Sequence, residues 1–98
     1  MVEHMVMIKF GEQTTKEQKD EVISRARNLQ NLIPGIIDLK VGHNFSTRSQ
    51  GYDIGLTVRF ERRDQLEAYG PHPEHQKLVA YMNEVGAHPP LVVDFETE

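Results

Sequence analysis

The stretch YDIGLTVRF, Tyr52 to Phe60, decides the fold. Tyr52, Ile54, Leu56, Val58 and Phe60 fall on one side of it, and Asp53, Gly55, Thr57 and Arg59 on the other. Successive side chains of a strand point to opposite faces, so this period of two predicts a strand with one apolar face. Just before it, Ser46 to Gly51 (STRSQG) is polar and of hairpin length. The residues upstream, Ile36 to about Asn44, then form the antiparallel partner. There Ile37, Leu39, Val41 and His43 share a face, and Asp38, Lys40 and Gly42 share the other.

The flanks extend the pattern. Val2 to Phe10 alternates, with His4, Val6, Ile8 and Phe10 on one side and Glu3, Met5, Met7 and Lys9 on the other. A helix follows, because Thr14 with Glu17, or Thr15 with Gln18, has capping-box spacing. Val22, Ile23, Ala26, Leu29, Leu32 and Ile33 make its apolar stripe, and Pro34-Gly35 stops it. On the C-terminal side, Asp64 with Glu67 caps a short turn carrying Leu66 and Tyr69. Gly70-Pro71 breaks that turn. Pro73 suits the first position of a new helix, which runs to about Val85 and ends at Gly86. A last strand, Leu91 to Glu96, puts Leu91, Val93 and Phe95 on one face.

The order β-α-β-β-α-β predicts one domain, residues 1–98, of the α+β class. It is a ferredoxin-like protomer with a four-stranded antiparallel sheet and both helices on one face. The other face would carry Met5, Met7, Ile36, Thr57 and Val92 among Lys9, Asp38, Lys40, Asp53, Arg59 and Asp94. That face is too apolar to stay wet, and a 98-residue chain has nothing left to cover it. A second copy is the simplest lid, so a homodimer through sheet faces is expected, with charges pairing across the two-fold axis.

Composition narrows the function. The net charge is −4, and the 11 Lys and Arg are scattered, which argues against nucleic acid. There is no cysteine, which removes disulfides and thiol nucleophiles. No apolar run nears the roughly 18 residues of a membrane span, and a cytoplasmic protein is expected. No cofactor motif is present.

The segment YGPHPEH, Tyr69 to His75, holds the candidate chemistry. On a helical wheel His75 heads the stripe Leu78, Val79, Met82 and Val85, which meets the sheet. An imidazole there is either a core histidine bonded to a backbone carbonyl or a general base lining a pocket. Tyr69 is either a core aromatic or a phenol that holds a substrate oxygen. His72 precedes a proline and caps or packs at the surface; with His75 three residues on, it could bind metal only if a third ligand joined. His4, on the helix-facing side of the first strand, is a satisfied core residue or the polar end of the same pocket. His43 and His88 do not stand out.

Several stretches together resemble the stress-responsive dimeric α/β-barrel family: HMVMIKF, IPGI, VGHNFS, GYDIGLTVRFE, LEAYGPHPEHQKLV and VVDFE. The resemblance implies a ferredoxin-like protomer whose sheet pairs with a second sheet to form a barrel. One branch of the family closes linear polyketides by aldol condensation. In that branch a tyrosine and a histidine of the Y..HP.H segment act in a pocket between sheet and helices, matching Tyr69 and His75. A histidine on its first strand matches His4. Where the branch has a pocket tyrosine this chain has Ala26, and where it has a pocket histidine this chain has Ile54. The resemblance therefore implies a more apolar pocket and a different substrate. Two functions are expected as alternatives. One is a dimer that binds a small, partly apolar carbonyl compound, with His75 and Tyr69 catalytic and His4, Ile54, Ala26 and His72 contacting substrate. The other is a non-catalytic stress-associated dimer or ligand carrier.

Overall fold

A computed structural model describes residues 1–97. Its elements are β1 (Val2–Ile8), α1 (Lys16–Leu32), β2 (Ile36–His43), β3 (Ile54–Phe60), α2 (Arg63–Tyr69), α3 (Pro73–Glu84) and β4 (Leu91–Glu96). The strands form one antiparallel sheet in the order β2-β3-β1-β4. This is the ferredoxin-like βαββαβ arrangement. The core lies between the sheet and the helices, where Ile54, Val58, Phe60 and Val22 are fully buried. Strand β3 begins at Ile54, two residues later than the alternation predicts, because Tyr52 and Asp53 belong to the hairpin loop.

Of the two capping boxes open to α1, Thr15 and Gln18 form the one present. The Thr15 hydroxyl accepts from the Gln18 N–H at 3.1 Å, and the Gln18 side chain accepts from the Thr15 N–H at 2.9 Å. Thr14 is buried instead, and its hydroxyl donates to the Val85 carbonyl at 2.5 Å. That bond ties the start of α1 to the end of α3. Gly86 follows with φ +103°, and a Cβ there would lie 2.8 Å from Thr14 Oγ1. Glycine is required on both counts. Leu32 is exposed although it was expected in the buried stripe; it sits off the face that Val22, Ala26 and Leu29 bury. Helix α2 starts at Arg63 rather than from an Asp64 cap. Gln65 reaches back to accept from the N–H groups of Glu61 and Arg62, while Asp64 pairs with Arg62 inside the first turn. Helices α2 and α3 are separate, as Gly70-Pro71 predicts.

Register corrects the expected sheet faces in three places. First, β4 pairs Val92 with Val6, Asp94 with His4, and Glu96 with Val2. Directly opposed residues share a face. Val92 and Asp94 therefore face the helices, and Leu91, Val93 and Phe95 join Met7, Met5 and Glu3 on the bare face, the reverse of the expectation. Second, the β2–β3 ladder passes from the pair Ile36–Phe60 to the pair Asp38–Arg59, so Ile37 is the extra residue of a bulge. Ile36 packs on the core and Ile37 is exposed, again the reverse. Third, Asp53 is not on the bare face. Its carboxylate accepts from the Phe10 N–H at 3.0 Å and pairs with Lys19 of α1 at 3.3 Å. The bare face also holds the ion pair Glu3–Arg59 at 2.6 Å.

Candidate functional site

Between β1, α1 and α3 lies a cavity of about 150 Å³. Most of its wall is aliphatic: Val6 and Ile8 from β1, Val22 and Ala26 from α1, Leu78, Val79 and Met82 from α3. Pro90 and Val92, both exposed, form the outer wall. The polar groups on the wall come from three residues, His4, Tyr69 and His75.

The break between α2 and α3 places two of them. Tyr69 is the last residue of α2, 2 % exposed, and its ring packs edge-on to Phe60 at 5.4 Å between centroids. Helix α3 restarts with His72 as N-cap, whose Nδ1 accepts from the Glu74 N–H at 3.1 Å. Pro73 holds the first helical position. The next turn carries His75 back over Tyr69, with ring centroids 4.5 Å apart. Here His75 Nδ1 lies 2.8 Å from the Gly70 carbonyl. A carbonyl can only accept, so Nδ1 bears the hydrogen and the neutral ring keeps Nε2 as an acceptor. His75 thus bonds to a backbone carbonyl, as a core histidine would, and also lies on the cavity wall.

His4 completes the group from the other side, its ring 5.7 Å from Tyr69 in an edge-to-face arrangement. Its Nδ1 meets Asp94 Oδ1 at 2.5 Å. Asp94, expected on the bare face, is brought beside His4 by the register of the first and last strands, although it does not line the cavity. The Tyr69 hydroxyl has no hydrogen-bond partner among the described residues, and no sealed-off polar side-chain atom lacks one. The hydroxyl is therefore not sealed off, and Tyr69 is on the cavity wall. Burial pushes the Tyr69 phenol up to about 12. Burial also lowers His75, the Gly70 bond opposes that, and the neighbouring His4 and His72 reinforce it.

Two residues expected at the site lie outside its wall. Ile54 is fully buried in the core, paired with Ile8 and His43 across the sheet. His72 is committed to capping α3. Ala26 is on the wall, and its small side chain leaves the space there open. His43 pairs with Asp20 at the surface, 2.7 Å away. Among the described residues no three His, Asp or Glu side chains converge as metal ligands.

The stress-responsive A/B barrel domain family matches residues 2–97. Olivetolic acid cyclase of Cannabis sativa is 32 % identical over 76 residues, which cover 76 % of this chain and 75 % of the cyclase. Among solved structures, an ensemble-refined crystal structure of an Arabidopsis thaliana protein superposes with a TM-score of 0.87 at 25 % identity, covering 100 % of this chain and 96 % of that one. A dimeric ferredoxin-like protein of unknown function from Bacteroides fragilis gives 0.81 at 26 % identity, covering 98 % and 95 %.

Proposed function

Because this chain belongs to the stress-responsive A/B barrel domain family, we propose that it binds a small, partly apolar carbonyl compound in the cavity and removes a proton beside the carbonyl. The observation that carries this reading is the pairing of Tyr69 with His75 on an otherwise aliphatic wall. With its pKa lowered from 6.5 by burial, His75 is neutral at neutral pH and offers Nε2 as a base. Tyr69, pushed up to about 12, keeps its proton and acts as a donor.

The step follows from those roles. His75 takes the proton from the carbon next to the carbonyl, and the electron pair moves to the oxygen. Tyr69 donates a hydrogen bond to that oxygen as charge builds there. In a substrate with a second carbonyl, the enolate carbon attacks it and a carbon–carbon bond forms. The His75 imidazolium returns the proton to the new alkoxide, so nothing is lost or gained. The cyclase relative supports aldol-type closure as the reaction class. The bare sheet face with Met5, Leu91, Val93 and Phe95 supports a homodimer, as does the dimeric Bacteroides fragilis neighbour.

Proton abstraction can be tested without the natural substrate. Deuterium uptake beside the carbonyl of a small aryl ketone in heavy water, followed by NMR, should be accelerated by the protein. His75→Ala should lower that acceleration by about 10²- to 10⁴-fold with an unchanged circular dichroism spectrum. Tyr69→Phe should lower it by at least about tenfold. Equal exchange in wild type and His75→Ala would overturn the catalytic reading. A ketone held in the cavity without exchange would make the protein a carrier.

A further inference from the structure

Phe45, just past the end of β2, is 97 % exposed, yet the backbone that carries it is pinned. The Asn44 N–H donates to the Asp53 carbonyl at 2.8 Å, and the Asn44 side chain donates to the Tyr52 carbonyl at 3.0 Å. The Ser46 N–H donates back to Asn44 Oδ1 at 3.0 Å. A phenyl ring is thus held out into solvent from a fixed base. A second uncovered apolar spot lies at the same end of the sheet, where exposed Pro90 and Val92 form the outer wall of the cavity. The ladders set that level, pairing His43 with Ile54, Ile54 with Ile8, and Met7 with Leu91. Within one chain the two spots stay apart, because β2 and β4 are opposite edges of the sheet. Three strand spacings separate them, about 14 Å.

The bare face says how a second copy brings them together. Its residues form three rows across β2, β3, β1 and β4: Gly42, Gly55, Met7, Leu91; then Lys40, Thr57, Met5, Val93; then Asp38, Arg59, Glu3, Phe95. Two copies facing each other on a two-fold axis can sit in two ways. With the axis across the strands, each strand lies on its own copy and the rows invert. Lys40 then meets the partner's Lys40, and Glu3 meets the partner's Met7. With the axis along the strands, β1 lies on the partner's β3, β4 lies against the partner's β2, and the rows are kept. Glu3 then meets the partner's Arg59. Met7 and Leu91 meet the partner's Gly55 and the partner's Gly42, two residues around which a Cβ would find open space. Opposite charges and knobs over hollows favour the second arrangement. It sets the end of the partner's β2 beside the start of β4, level with Pro90.

We propose that the partner's Phe45 lies on Pro90 and Val92 and completes the outer wall, so that each cavity is built from two chains. This rests on the homodimer and on the cavity as binding site, both argued above. The ring loses its exposure, and the cavity gains an aromatic side that one chain cannot supply. Ligand binding and dimerisation are then linked: whatever the cavity holds favours the dimer.

Two measurements test the proposal. In dimers mixed from carbon-13-labelled and unlabelled protein, filtered NOE spectra should show contacts between Phe45 ring protons of one protomer and Val92 methyls of the other. Benzene, which a cavity of this size admits, serves as the ligand probe and should shift the Val92 and Met82 methyls. Phe45→Ala should stay dimeric in sedimentation equilibrium but bind benzene about fivefold more weakly, or worse, as expected on truncating a central aromatic contact. Phe45→Leu should recover most of that loss. A wild-type monomer removes the homodimer and this proposal together. A wild-type dimer without Phe45–Val92 contacts between protomers overturns this proposal alone, and so does equal benzene affinity in wild type and Phe45→Ala. If benzene leaves the Val92 and Met82 methyls unmoved, the cavity reading falls with it. The NOE contacts are read on wild type, so they decide the matter even if Phe45→Ala dissociates.

Discussion

Within β1, Val6 is 9 % exposed and its neighbour Met5 is 37 %. The same contrast runs across the sheet. On the helix-covered face Ile54, Val58 and Phe60 are fully buried, whereas on the bare face Leu91, Val93 and Phe95 are exposed. The covered face is packed by helices of the same chain and leaves a gap where the three polar rings sit. The bare face is a continuous apolar strip edged by Glu3 and Arg59. The difference separates two jobs: one face holds the fold and encloses the cavity, and the other is available to a second copy. Substitutions on the two faces should therefore damage different properties.

The largest effect is expected on the covered face. Phe60→Ala removes a fully buried ring that packs edge-on to Tyr69, and should cost about 3–5 kcal/mol in urea unfolding. A cost below about 1 kcal/mol would mean that the face is less tightly filled than it looks. On the bare face, Met7→Glu puts one unpaired carboxylate per protomer beside Leu91. Dimer dissociation should rise about 100-fold by sedimentation equilibrium, while the protomer's circular dichroism spectrum stays the same. Unfolding of the protomer instead would erase the division between the faces.

The smallest effects come from pH and sharpen the view of the gap. His75 is depressed in the folded state, so below about pH 6.5 the unfolded chain takes up a proton that the folded one refuses. Its contribution to stability is present above that pH and is lost as pH falls. His75→Gln should flatten the drop in urea midpoint between pH 7.5 and 5. Tyr69 behaves oppositely at the alkaline end. Between its ordinary value of 10.0 and about 12, the unfolded chain loses the phenolic proton first, so stability falls as pH rises. Tyr69→Phe should flatten that slope and leave the acidic one alone.

The element order, the helix break at Gly70-Pro71 and the cavity positions of His4, Tyr69 and His75 could be read from period, punctuation and motif. The faces of β4 could not. Leu91, Val92 and Val93 are apolar in succession because the strand is apolar on both sides, so alternation cannot say which side is which. Register against β1 decides, and register is a long-range fact. The same holds at Ile36 and Ile37, where two identical side chains hide a bulge. Asp94 went unrecognised as the neighbour of His4 for this reason: nothing local links it to a histidine 90 positions away.

That separation bears on how the protein is made. Among the described elements β1 is made before β4, its partner along one edge. The Met1 ammonium donates to the Thr97 carbonyl, and the Thr97 N–H donates to the Met1 carbonyl, so the two ends of the described chain zip together directly. Closing so long a loop is a slow, late event in folding. A nascent chain could already hold α1, β2 and β3 but would lack the outer wall at Pro90 and Val92, and His4 would have no carboxylate behind it. The cavity is therefore complete only once the last strand has docked.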